Sequence, residues 1–248
     1  LTLLPLVMYL AKNNILFEGL FIFITFGFLF MINDQIRQGI AIVVFINSQK
    51  FIESRNFKNY LLYTLLASLF HYTALIMLPI YFIAHAKIPK NFAIISLIIS
   101  YLAYFQGYFY ELIFAIIKLI PIYGEIYFSR SEIGYVRDNG SGFGILFTFL
   151  LSLYVLNSGF RYSKRTEWNI FFFGALLTIM SIGFMPVQRI ALYMFSTIVI
   201  VLSRKLRNQR FSFEWTMMLL ILLGYFAVSV LFDLEKHGAV PYSSLIGF

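Results

Sequence analysis

The stretch "YLLYTLLASLFHYTALIMLPIYF", residues 60 to 82, contains no Asp, Glu, Lys or Arg. Crossing the hydrocarbon core of a bilayer takes roughly 20 consecutive apolar residues in a helix. This stretch is long and apolar enough to do so, and it sets the expectation for its neighbours. The full chain has 248 residues, 60% of them hydrophobic and only 12% charged, with 30 phenylalanines. Its mean hydropathy is +0.83. A soluble domain needs far more polar surface than this composition supplies, so the sequence reads as a membrane protein.

Working outward, apolar runs fall at residues 1–11, 15–32, 35–49, 60–85, 91–106, 142–158, 169–185, 187–203 and 214–232. The expected fold is an all-α, polytopic transmembrane helix bundle of about 8 to 9 membrane segments. It forms a single integral membrane domain over residues 1–248, with one longer outer loop at 121–141. Residues 35–49 are short for a full crossing and fit a tilted or partly inserted helix. Residues 107–120 extend the preceding run or lie flat at the interface. The first residue is leucine, and no basic segment with a small-residue cleavage site precedes the first apolar run, so a natural N-terminus upstream is expected.

The chain has no cysteine and three scattered histidines. That excludes disulfides and thiolate metal sites, and gives no zinc-like spacing. No Walker loop, dinucleotide glycine pattern, serine elbow or paired-aspartate metal motif is present, so no cofactor is expected. The net charge of +8 sits in short clusters between apolar runs, which is the positive-inside pattern rather than a nucleic-acid surface. The clusters "FRYSKRTEW" (160–168) and "SRKLRNQRF" (203–211) are the richest, two runs apart, and fit one cytoplasmic face. Residues 121–141 then fall outside. Counting back, Lys87 and Lys90 fall inside, but Lys50, Arg55 and Lys58 fall outside, against the rule. Either an early segment is re-entrant or those charges are functional.

An ionisable group within a span costs about 2.5 to 3.5 kcal/mol on insertion scales, so each one is a functional candidate. In "NDQIRQGIAIVVFINSQ" (33–49), Asn33 fits a helix N-cap and Asp34 a first-turn acid. Arg37, beside Gln38, opposes the helix dipole and wants an anion, either Asp34 or a bound phosphate. Thr64, Ser68, His71 and Tyr72 fall at helical spacing and predict one polar face lining a cavity or another helix. His71 on that face is either hydrogen-bonded to a neighbour or serves as a general base or anion donor. Arg189 follows Pro186 at another helix start, with Tyr193 and Ser196 on its face, and either snorkels to the headgroups or binds an anion. Between 121 and 144, Tyr123, Tyr127 and Tyr135 offer faces for sugar rings. Arg130 and Arg137 can fork onto phosphate oxygens, and Asp138 is a possible proton acceptor. A solvated loop with interfacial tyrosines is the plainer reading of the same residues.

The block 33–82, with Arg37-Gln38-x-x-Ala41 at a helix start, a basic loop, and Phe70-His71-x-x-Ala74 within an apolar run, resembles the EpsG-like branch of the Wzy-type polysaccharide polymerases. "QRIALYMF" (188–195) and "VPYSS" (240–244) are similar to that family's late arginine helix and closing Pro-Tyr. The resemblance implies a metal- and nucleotide-independent membrane glycosyltransferase of the bacterial cytoplasmic membrane. Such an enzyme joins undecaprenyl-pyrophosphate-linked oligosaccharides at the outer face to make exopolysaccharide, capsule or O-antigen. It further implies Arg37, Gln38 and Arg189, with Arg130 or Arg137, on the pyrophosphate, supported by Asp34. His71 or Asp138 would be the base, and the tyrosines would hold the sugars. Implied partners are membrane lipids, a flippase and a chain-length regulator, with no nucleic acid. A transporter of lipid-linked sugars, a membrane acyltransferase and a non-catalytic assembly subunit are the competing readings. The sequence shows no internal repeat to favour the first and no acid near His71 to favour the second.

Overall fold

The computed structural model describes residues 3–29, 35–106, 143–181 and 185–232. Among these residues every regular element is helical. In chain order they are α1 (Leu4–Lys12), α2 (Leu16–Thr25), α3 (Ile36–Glu53), α4 (Phe57–Phe70), a 3-10 helix (Tyr72–Met77), α5 (Ile80–Ile83), α6 (Lys90–Phe105), α7 (Phe143–Gly159), α8 (Arg165–Met180), α9 (Met185–Phe195), α10 (Ile198–Asn208) and α11 (Phe213–Phe232). Pro5, Pro79, Pro89 and Pro186 all stand in a first turn or at an N-cap, where the missing N–H costs nothing.

The packing is inverted relative to a soluble protein. On α6, Phe92, Ile95, Ile99 and Leu102 face outward while Ala93, Leu97 and Ser100 face inward. On α4, Leu62, Leu65, Leu66 and Leu69 are exposed. Gln38, Gln49 and Asn169, by contrast, are buried, each with its amide nitrogen bonded: Gln49 to Thr197 Oγ1 at 2.8 Å, and Asn169 to the carbonyls of Ala84 and Ala86 at 2.7 and 2.8 Å. Contiguous apolar surface of this extent is unstable against water but matches lipid, while interior amides tie helices together where lipid offers no hydrogen bonds.

Among the described residues one helical run is both long and apolar enough to cross a membrane. It is Pro186–Asn208, which comprises α9 and α10 joined through a turn at Ser196 and Thr197. The other apolar helices, such as Leu16–Thr25, Tyr72–Ile83, Lys90–Tyr104 and Phe213–Val228, are shorter. Breaks cause some of this shortening. Gly27 takes φ +73°, a left-handed conformation suited to glycine, and the run at 60–85 is interrupted twice.

That interruption corrects the expected single span over 60–85. α4 ends at Phe70, His71 is extended (φ −149°, ψ 111°), and the 3-10 helix and α5 then run back alongside α4. Phe57 stacks edge-on with Tyr81 at 5.0 Å between centroids, and the Tyr60 hydroxyl donates to the Met77 carbonyl at 2.6 Å. Residues 57–83 therefore form an antiparallel hairpin with His71 at its tip. α3 also differs from expectation: it begins at Ile36 with Gln35 as N-cap, two residues beyond the Asn33 cap read from the sequence, and it runs on to Glu53.

The hairpin removes the charge conflict. Because it returns to the end it left, the loop at 50–58 and the loop at 85–90 lie at one end of the bundle. Lys164 pairs with Glu53, Arg165 donates to the Ile88 carbonyl at 2.9 Å, and Lys90 donates to Asn157 Oδ1 at 2.9 Å. Arg204 pairs with Glu167 at the same end, and Arg210 lies 3.8 Å from Glu18. Burial pushes the Glu167 carboxyl above its ordinary range, while Arg204 and then Lys164 beside it pull the other way. All the basic loops described thus share one face, as the positive-inside rule requires.

Candidate functional site

The opposite end holds a cavity of about 790 Å³. It is lined by Arg37 and Gln38 from α3, by Ser68 and His71 from the hairpin tip, and by Arg189 from α9, among others. Three segments far apart in sequence therefore meet at one place. Each puts its polar residue there because a helix starts or stops at that level: Arg37 in the first turn of α3, Arg189 in the first turns of α9, and His71 where α4 breaks.

Buried hydrogen bonds fix the meeting. Gln38 Nε2 donates to the Arg189 carbonyl at 2.8 Å across 151 residues of sequence. The Tyr193 hydroxyl, fully buried one turn further along α9, lies 3.4 Å from Thr73 Oγ1 in the 3-10 helix. Its ring meets Phe45 of α3 edge-on at 6.1 Å. At the next level Gln49 reaches Thr197. α3, α9 and the hairpin are thereby tied at three heights. Gly174 of α8 lets α9 approach so closely that a Cβ there would stand 2.4 Å from Phe195 N and 2.5 Å from the Met194 carbonyl carbon.

Both arginines are exposed to the cavity side, and among the described residues neither forms an ion pair with a carboxylate. Arg189 and Arg37 are the charges that act on the His71 ring. An exposed cavity with two guanidiniums and no described acid is chemically an anion site, and each guanidinium can bind two oxygens of a phosphate at once.

The polar stripe read from Thr64, Ser68, His71 and Tyr72 is corrected in part. Thr64 is buried and bonds back to the Tyr60 carbonyl at 2.9 Å, so it does not line the cavity. Ser68, His71 and Tyr72 do, but the break at His71, not a continuous helix face, places the last two. Ser196 likewise points inward, with its hydroxyl on the Tyr193 carbonyl at 2.7 Å. Asp34, Arg130, Arg137, Asp138, Tyr123, Tyr127 and Tyr135 lie outside the described residues. Gln35 was not singled out in the sequence, although it stands three residues before Gln38 and so shares its helix face. Thr73 gave no signal, because its role depends on the break beside it.

A model of the EpsG family matches residues 1–244. The chain belongs to the EpsG family. Comparison with curated proteins and with solved structures returns no match. EpsG membership makes this a membrane protein of polysaccharide biosynthesis, in keeping with the lipid-like outer surface of its helices. The motif residues of the EpsG resemblance, Arg37, Gln38, His71 and Arg189, all line the cavity.

Proposed function

We propose that the protein is a polysaccharide repeat-unit polymerase, a membrane glycosyltransferase acting on oligosaccharides linked to undecaprenyl pyrophosphate at the outer face of the bacterial cytoplasmic membrane. The observation that carries this reading is the convergence of Arg37, Arg189 and His71 on one cavity at the end opposite the basic loops. With those loops cytoplasmic, the helix lengths set the depth of the cavity. The 18 residues of α3 rise about 27 Å at 1.5 Å per residue, close to the roughly 30 Å hydrocarbon core. Arg37 then stands near the outer headgroups, where a lipid-linked pyrophosphate lies. The 14 residues of α4 rise about 21 Å, so His71 reaches from slightly deeper.

In the proposed reaction the bond between the anomeric carbon of the growing chain and the pyrophosphate oxygen breaks, and the electron pair leaves with the pyrophosphate. Arg37 and Arg189 stabilise that developing charge, and fixed cations in a partly dry site are worth more to the transition state than to the ester ground state. A hydroxyl of the next lipid-linked unit forms the new bond to the anomeric carbon, and His71 accepts its proton. In the proposed outer loop, Arg130 or Arg137 adds to the pyrophosphate clamp, Asp138 is the alternative base, and Tyr123, Tyr127 and Tyr135 hold the sugars. The chain forms a single multi-pass domain in this reading, with apolar helix faces such as that of α6 beside the polyprenyl tails.

Deleting the gene and complementing it with the wild type, Arg37→Ala or His71→Ala tests the reading. Single lipid-linked repeat units accumulating on the outer leaflet, rescued by the wild type alone, are the expected result. Accumulation on the inner leaflet makes the protein a lipid transporter and overturns the chemistry.

A further inference from the structure

We infer that Gln35 and Gln38 recognise hydrogen-bond donors on the sugar joined to the pyrophosphate, so that the cavity holds a glycosylated lipid pyrophosphate in preference to the bare lipid pyrophosphate left after transfer. The inference rests on the reading of the cavity as a pyrophosphate site. Gln38 is 3% exposed, and its amide orientation is fixed by chemistry: the Arg189 carbonyl only accepts, so the group at 2.8 Å from it is the NH2. The Gln38 Oε1 is then turned away from that carbonyl, and among the described residues it is buried with no hydrogen-bond partner. Gln35, on the same helix face and lining the same cavity, has a second such oxygen. Its side chain makes no capping bond to the helix it precedes.

Two buried amide acceptors without donors, beside two guanidiniums that do not bond them, are costly unless a ligand supplies the donors. The pyrophosphate does not: its oxygens accept only, and they suit Arg37 and Arg189. Sugar hydroxyls and acetamido N–H groups do supply donors. The cavity thus presents donors for one part of a sugar pyrophosphate and acceptors for the other. Once the glycosyl group has left, both glutamine oxygens are orphaned again. The product is held by the arginines alone, which favours its release and the entry of the next glycosylated donor.

The test measures dissociation constants of the full chain in nanodiscs for two probes, polyprenyl pyrophosphate and polyprenyl-pyrophosphate-linked N-acetylglucosamine. The wild type is expected to bind the sugar-bearing probe about tenfold more tightly, the scale of one or two satisfied buried acceptors. Gln35→Leu, which removes an acceptor and no hydrogen bond seen among the described residues, should bring that ratio towards one and leave the bare probe unchanged; Gln38→Leu should also lower the ratio, but it frees the Arg189 carbonyl and so weakens both probes. Equal wild-type affinity for both probes, or a Gln35→Leu variant that weakens both alike, overturns the inference and leaves the pyrophosphate reading standing. Failure of both probes to bind removes that reading and the inference with it.

Discussion

Gly174→Ala tests how the packing of α8 serves the arginine on α9. The added Cβ would stand 2.4 Å from Phe195 N, 2.5 Å from the Met194 carbonyl carbon and 2.7 Å from Phe195 Cα. Ordinary non-bonded contact needs about 3.5 Å, so α9 must move away by about 1 Å. All three opposing atoms are backbone and no flexible side chain can absorb the shift, which puts the cost near the upper end of overpacking, about 3 kcal/mol. Phe195 lies about 9 Å along the helix from Arg189 at 1.5 Å per residue, close enough for a rigid displacement to reach the guanidinium. A misplacement of about 1 Å in a binding group can cost roughly 100-fold in rate. Thermal unfolding in nanodiscs should show a clear loss of stability, and polymerisation of lipid-linked repeat units should fall by about that factor. A Gly174→Ala protein with unchanged melting and full rate would refute the claim that contact with α8 sets the position of Arg189.

Arg37→Lys keeps the charge but loses the bidentate fork, so polymerisation should fall about 100-fold; retention of full activity would rule out the clamp. Tyr60→Phe removes the buried bond to Met77 that closes the hairpin, and should lower stability by about 1 kcal/mol, measured by thermal unfolding. Because the chain has no cysteine, single introduced thiols report topology directly. Asn56→Cys and Ser163→Cys should both react with a membrane-impermeant maleimide from the cytoplasmic side, and Tyr72→Cys only from the outside. Labelling of positions 56 and 163 from opposite sides would disprove the hairpin.

How much of this was legible in the sequence depended on whether the signal was local. Apolar run length gave helices, Asn33 and Asp34 gave the start of α3 to within two residues of its Gln35 cap, and Pro186 gave the start of α9. The return of the chain at His71 was not legible, because residues 60–82 satisfy the length criterion for one crossing and contain no glycine or charge at the break. What favours the break is tertiary: the Tyr60 to Met77 bond and the contacts of Phe57 with Tyr81 and Phe82 exist only when the segment has folded back. The misplacement of Lys50, Arg55 and Lys58 was the one trace of the hairpin in the sequence. The tie from Gln38 to Arg189 was equally invisible, since it joins residues 151 apart.

The polar interior explains why two like charges can share the cavity. Two guanidiniums near each other repel by about 1 kcal/mol at 4 Å in water and several times more in a drier setting, so left free they would splay apart. Their backbones are not free. Gln38, next to Arg37, holds the Arg189 carbonyl, Tyr193 meets Thr73, and Gln49 holds Thr197, each inside the bundle where loss of the bond leaves a buried group unpaired. The repulsion is thus opposed by bonds that do not involve the guanidiniums, and the forks stay available. An anion entering between them relieves the repulsion and gains charge-assisted bonds at once. The same arrangement placed at the basic end would compete with Glu53, Glu167 and Glu214, which already occupy Lys164, Arg204 and Lys205. The lack of any described carboxylate beside Arg37 and Arg189, against the acids that pair Lys164, Arg204 and Lys205 at the other end, is therefore what gives the cavity its appetite for an anion, and it depends on the hairpin that returns residues 57–83 to the end where they began.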